Sequence, residues 1–208
     1  MTATHSDPVP LPAGHWDELA FGPVRDVNEE VVEVLCAAAQ SAAAAPLAAL
    51  ARTEFLPATA AACRRLAECP YLLLDAGFAE PARWRLCSGV REAPAAAQDG
   101  APAIDCGVGL ARRALVLGWH LARANRLAAR VALGMTAECA ELIGALRLAH
   151  LDAIAEDERR WVRLRWEGRV ELWRPLLRAA RDERGTELPG LRMRGLQLLA
   201  ADAGLPEA

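Results

Sequence analysis

The chain has 208 residues and a net charge of −3; Ala and Leu dominate it, and aromatic residues make up only 5%. That length suits one domain with a substantial core, and the composition favours helix over sheet. All 24 basic residues are arginine, so no lysine can serve a phosphate loop, and no stretch is apolar enough to span a bilayer.

Residues 1–15, with Pro8, Pro10, Pro12 and Gly14, read as a flexible lead-in to a helical domain over 16–208. This start lacks the positive charge and apolar run of a signal peptide, so a cytoplasmic location is expected. Asn28 followed by Glu29 and Glu30 predicts a helix start, because the amide caps free N–H groups and the carboxylates face the positive end of the helix dipole. That helix should run to about Ala45 and break at Pro46, with a second piece over Leu47 to Arg52. A short helix follows through Leu66, and then Pro70 to Asp75, an apolar segment compatible with helix or buried strand. Residues 87–107, with Pro94, Gly100, Pro102 and Gly107, read as the long loop of the domain.

The next stretch, Leu110 to Ile154, is expected to organise the fold. Leu110, Ala114, Leu117, Leu121, Ala124, Ala128 and Val131 recur in steps of four and three, which predicts one continuous buried face. Arg112, Arg113, Arg123, Arg126 and Arg130 supply the wet side. Gly134 is placed to end the helix and Thr136 to cap the next one. Val162, Leu164 and Trp166 alternate with Arg163, Arg165 and Glu167 as in a strand, while Trp161, Leu164 and Arg165 suit a helix. Helix is the expectation there, with a minor β segment near 161–166 as the alternative. Pro175 fits the first turn of a helix through Asp182, and Leu191 to Ala203 forms a last helix. The fold class is therefore mainly α, a single compact helical domain with short connecting loops. Residues 50–84 laid on 127–161 give ten identities in 35, a weak internal echo.

Candidate chemistry is sparse. The six cysteines form no C-x-x-C pair, and His5, His15, His120 and His150 show no metal-ligand spacing. Most of the cysteines are expected to be small buried residues. Ser6, Ser41 and Ser88 are the only serines, and none lies in a nucleophile motif. Cys106-Gly107-Val108-Gly109 is a fragment of a phosphate loop at best, and Glu156-Asp157-Glu158 reads as a solvated patch. His120 is the most pointed single residue; as a structural group it would pack one imidazole edge on the helix flank and hydrogen-bond the other. Residues 110–178 hold 13 Arg against 8 Asp and Glu, whereas residues 1–109 hold 7 against 14. A moderately basic middle on an acidic chain is not the concentrated positive field that nonspecific nucleic-acid binding needs. Trp119 lies in a stripe with Arg123, Arg126 and Arg130, a composition found at protein interfaces. The plainer reading is that the arginine stems cover the ring within one chain. No enzyme, cofactor or metal site is expected.

Leu117-Gly118-Trp119-His120 and, sixteen residues beyond the first Leu-Gly, Leu133-Gly134 resemble the type III secretion accessory proteins SctK, YscK and OrgA. Upstream, Phe21-Gly22-Pro23 is similar to the Phe-Asn/Asp-Pro near that family's N-terminus, but departs from it in having Gly22 where the family has Asn or Asp. The resemblance implies a non-enzymatic cytoplasmic adaptor of the injectisome sorting platform, in which an SctQ-like pod protein is linked to the cytoplasmic domain of an SctD-like inner-membrane ring protein. It implies no catalytic residue, no direct nucleic-acid binding and no membrane insertion. Leu133 to Ala140 and Leu151 to Glu156 also resemble the C-terminal part of FlhD, a flagellar transcription regulator subunit that would act on DNA with a partner. Gly118 inside a helix costs ~1 kcal/mol relative to Ala, so close packing against it is expected.

Overall fold

Among the residues described in the computed structural model, 15–41, 43–87, 103–157 and 162–204, the chain forms ten helices and one two-stranded sheet. The mainly helical expectation holds. In order the elements are α1 (His15–Gln40), α2 (Pro46–Glu54), α3 (Ala60–Ala67), β1 (Leu74–Asp75), α4 (Pro81–Cys87) and α5 (Gly107–Ala124). They continue with α6 (Arg126–Leu133), α7 (Ala137–Ala145), α8 (Leu148–Asp157), β2 (Arg163–Leu164), α9 (Val170–Arg181) and α10 (Leu188–Asp202). Helix α5 touches α1, α6, α7 and α8, while α9 packs on α2, α3 and α10. One cluster of buried apolar side chains extends from Val24 to Leu199.

The centre of the fold is not a helix. Tyr71, Leu72, Leu73 and Leu74 are all fully buried in an extended segment that enters β1, and a buried irregular backbone must find partners for every polar group. Two side chains from distant elements supply most of them. Asn28, 0% exposed on α1, donates to the carbonyls of Ala67 (3.2 Å), Cys69 (3.3 Å) and Tyr71 (2.9 Å) and accepts from the Leu73 N–H (2.8 Å). Arg165, after β2, donates Nε to Leu72 O (2.7 Å) and Nη2 to Leu74 O (2.7 Å) and Leu133 O (2.9 Å). Its own backbone N–H reaches Leu73 O at 2.8 Å, extending the antiparallel pairing of Leu74 with Leu164 and Asp75 with Arg163. The Leu72 N–H completes the set on Ala132 O at 2.8 Å.

Several expectations are corrected here. Asn28 does not begin a helix; it lies inside α1, where its amide is worth more as a staple to residues 67–73 than as a cap. Phe21 and Pro23 likewise lie within α1. The helix ends at Gln40, where Ser41 Oγ donates to Ala38 O and Arg52 Nε takes Ala39 O, and Pro46 opens α2 rather than closing α1. The supposed continuous helix from Leu110 to Val131 breaks at Asn125, which accepts the Ala128 N–H at 3.0 Å as the cap of α6. Its apolar face therefore changes phase: Leu110, Ala114, Leu117 and Leu121 are buried as predicted, but Ala124 is exposed and Ala129, Ala132 and Leu133 take over.

Gly134 ends α6 in the left-handed region at φ 69°, and Thr136 accepts the Cys139 N–H at 3.1 Å to start α7, both as predicted. Residues 163–164 form β2 and not a helix, with a turn following; Trp161 lies outside the described residues. Pro175 sits inside α9 instead of its first turn, because the helix starts at Val170. The internal echo matches in its first half, where Thr59 and Thr136 both cap short helices, but Leu74–Asp75 is strand and Leu151–Asp152 is helix. Residues 1–14 of the expected lead-in and 88–102 of the expected loop lie outside the described residues. His15 already belongs to α1, and the two ends of that loop, Cys87 and Gly107, belong to α4 and α5.

Candidate functional site

Of the residues in the Leu-Gly pattern, the two glycines are crowded by core side chains. A Cβ on Gly118 would lie 2.8 Å from Phe78 Cε1 and 3.1 Å from Met135 Cε, so the glycine lets the Phe78 ring rest directly on α5. Gly134 precedes Met135, and the Thr136 N–H reaches Phe78 O at 3.4 Å. A Cβ on Gly134 would in turn stand 2.8 Å from Leu199 Cδ2 of α10. Leu117 and Leu133 are buried beside these glycines, and Phe78 stacks on Trp84 with centroids 6.3 Å apart. These are packing positions. Phe21 and Pro23 are half-buried on α1.

His120 is exposed, not packed on the helix flank as the structural reading had it. Trp119 is half-buried; its indole N–H donates to Leu146 O at 2.8 Å, and the Arg123 guanidinium lies 4.8 Å from its ring centroid. Arg123 also donates to Gly144 O at 3.5 Å. Tryptophan and arginine thus dock α5 on the end of α7. The kink at Asn125 places Arg126 and Arg130 on α6, where exposed Arg126 lies 3.6 Å from Glu141 and Arg130 is half-buried. The stripe of four is split between two helices, and its aromatic member is committed to its own chain.

Charge is spent internally across the molecule. Glu54 of the acidic N-terminal section holds Arg178 (2.7 Å) and Arg174 (2.9 Å), and Arg113 pairs with Glu30. Arg112 pairs with Asp152 at 2.6 Å, and Arg85 with Glu138. The Arg178 hydrogen bond, with the nearby guanidinium charges, holds the Glu54 carboxyl below the usual carboxylate range. Among the described residues, several arginines of the basic middle therefore face acidic partners.

Thiol chemistry is disfavoured at four of the cysteines. Burial is the largest cause in each: Cys36 and Cys69 are pushed up to about 11, Cys106 to about 12, and Cys139 is also raised. Cys69, Cys106 and Cys139 are buried, in line with their reading as small core residues, while Cys36, Cys63 and Cys87 are half-buried. Among the described residues no group of three or more His, Cys, Asp and Glu is arranged to hold a metal ion, and no helix is long and apolar enough to cross a membrane.

Two concavities among the described residues were not foreseen from the sequence. A shallow trough lies between α9 and α10, over Tyr71 and beside Trp166. Trp173 forms part of its wall and anchors α9 by donating to Arg165 O at 2.8 Å. A second cavity, on the other side of Trp166, is lined by Asp75, Gly134, Arg165 and Asp202. The spacing of Leu191, Gly195 and Leu198 on one face of α10 was the available signal. Compared with known protein families, with curated proteins and with solved structures, the chain matches none.

Proposed function

We propose that this chain is a non-catalytic adaptor that works by binding other proteins, and that it serves as an SctK/YscK/OrgA-like component of the type III secretion sorting platform. In that role it would link the cytoplasmic domain of an SctD-like ring protein to an SctQ-like pod protein and support effector secretion. One observation carries the reading: Gly118 and Gly134, the glycines of the two Leu-Gly pairs that carry the resemblance, are closely approached by the Phe78 ring and the tip of Leu199. A sequence match at such positions is a match of packing, as expected between proteins that share a scaffold and no chemistry. The dispersal of arginine into ion pairs favours this over the FlhD-like, DNA-binding reading.

The test is copurification from the native cell. A tagged chain should bring down the SctQ-like and SctD-like proteins encoded beside it. Salt-dependent binding to promoter DNA without either protein would instead support the regulator.

A further inference from the structure

Arg165 is committed at one end of its guanidinium and free at the other. A guanidinium carries five N–H donors, and Nε and Nη2 give three of them to Leu72 O, Leu74 O and Leu133 O. The two on Nη1 have no acceptor among the described residues, although Arg165 is only 5% exposed. A Cβ on Gly134 would stand 3.5 Å from Nη1, and Gly134 and Arg165 line the same cavity. Nη1 is thus the end of the side chain turned to that space.

The cavity holds about 280 Å³, and its other walls are Asp75, Ala79, Trp166 and Asp202. Asp75 accepts the Gly77 and Phe78 N–H groups on Oδ1, at 3.0 and 3.3 Å, which leaves Oδ2 for another donor. Asp202, at the exposed end of α10, makes no hydrogen bond or ion pair with any described residue. Burial is the largest influence on the Arg165 guanidinium and lowers its pKa, while Asp75 and Asp202 oppose that from a distance. Neither carboxylate closes an ion pair with it. Trp166, edge-on to Tyr71 with centroids 5.7 Å apart, gives the cavity an aromatic wall.

A buried donor without an acceptor is costly, so Nη1 calls for an acceptor from outside the chain. The two carboxylates call for donors. A simple anion would meet Asp75 and Asp202, and a simple cation would meet the guanidinium. An α-amino acid answers both, with an acceptor and a donor that are each charged and only two bonds apart along its backbone. The cavity lies near the lower end of small-molecule sites, roughly 300 Å³ and upward, which suits one amino acid and not a nucleotide.

We propose that this cavity binds a free α-amino acid, with its carboxylate on Arg165 Nη1, its ammonium between Asp75 and Asp202, and its side chain along Trp166. The site goes beyond the adaptor reading and does not depend on it.

Isothermal titration calorimetry of the full chain with each of the protein amino acids tests this. At least one should bind saturably. Its carboxamide and its N-acetyl derivative, each lacking one of the two charges, should bind about tenfold or more weakly. Asp202→Asn should weaken the same amino acid by a similar factor with an unchanged melting midpoint; if that variant melts differently, the two derivatives decide. Arg165 is kept, because its three carbonyl contacts hold the fold. Binding of no amino acid, equal binding of either derivative, or binding indifferent to Asp202→Asn would overturn the proposal. Copurification with the secretion proteins and this titration can each fail without the other.

Discussion

Replacing Asn28 by alanine should be among the most damaging single changes at a polar position. The amide serves three carbonyls and one N–H of the buried segment 67–73, all from a side chain with no solvent access. Truncation strands the Leu73 N–H in an apolar interior at ~1–3 kcal/mol, and weakens three acceptors besides. The total is expected at ~3–5 kcal/mol, which for a chain of this size lowers the melting midpoint by roughly 10 °C. Urea unfolding followed by far-ultraviolet circular dichroism gives the magnitude, with the midpoint falling and the slope unchanged. Asn28→Asp separates the two halves of the staple. Its oxygen can still accept the Leu73 N–H, but a carboxylate then faces three carbonyls. The acid's pKa in the folded state would be raised above its unfolded value, so the variant is relatively better at low pH and worsens as pH rises through that range. A loss under ~1 kcal/mol for Asn28→Ala, or an aspartate variant as stable as the native chain at neutral pH, would refute the staple.

Gly118→Ala adds helix propensity but drives a Cβ into the Phe78 ring, and a net loss of ~1–2 kcal/mol is expected in thermal melts; an unchanged or higher midpoint would show that the ring yields freely. Glu167 is largely buried and accepts the Ile104 N–H at 2.6 Å, and burial pushes its carboxyl above the ordinary value. A raised acid favours the folded state at low pH and loses that contribution as pH rises. Glu167→Gln, which keeps an acceptor, should therefore gain stability relative to the native chain at alkaline pH and little in acid, as read from melting across pH. Glu54 has the opposite sign: held low by Arg178 and Arg174, it contributes above the carboxylate range and loses that contribution as pH falls. Glu54→Gln should flatten the acid limb of the same stability profile, and an unaltered limb would show that the pairing contributes nothing.

What the sequence discloses here is local. Gly134 and Thr136 were readable because a left-handed cap and a hydroxyl acceptor are decided within a few residues, and the same holds for the short helices α2 and α3. Asn28 misleads because Asn-Glu-Glu meets every local requirement of a helix start, whereas its role is set by carbonyls some forty residues away. Asn125 was missed because the apolar repeat passes across it, and only the exposed Ala124 betrays the change of phase. Arg165 occupies the outward place of an alternating strand, yet the turn at Trp166 carries it into the interior. The trough needed α9 and α10 together. Each of its leucines alone reads as ordinary helix face.

The secretion-platform reading is tested most directly by reconstitution. The purified full chain is mixed with the SctQ-like protein and the cytoplasmic domain of the SctD-like protein from the same genome, and light scattering is recorded across a size-exclusion column. The account predicts a complex containing all three, which disappears when the chain is left out. Separate elution of the chain while the other two proteins remain folded would contradict it.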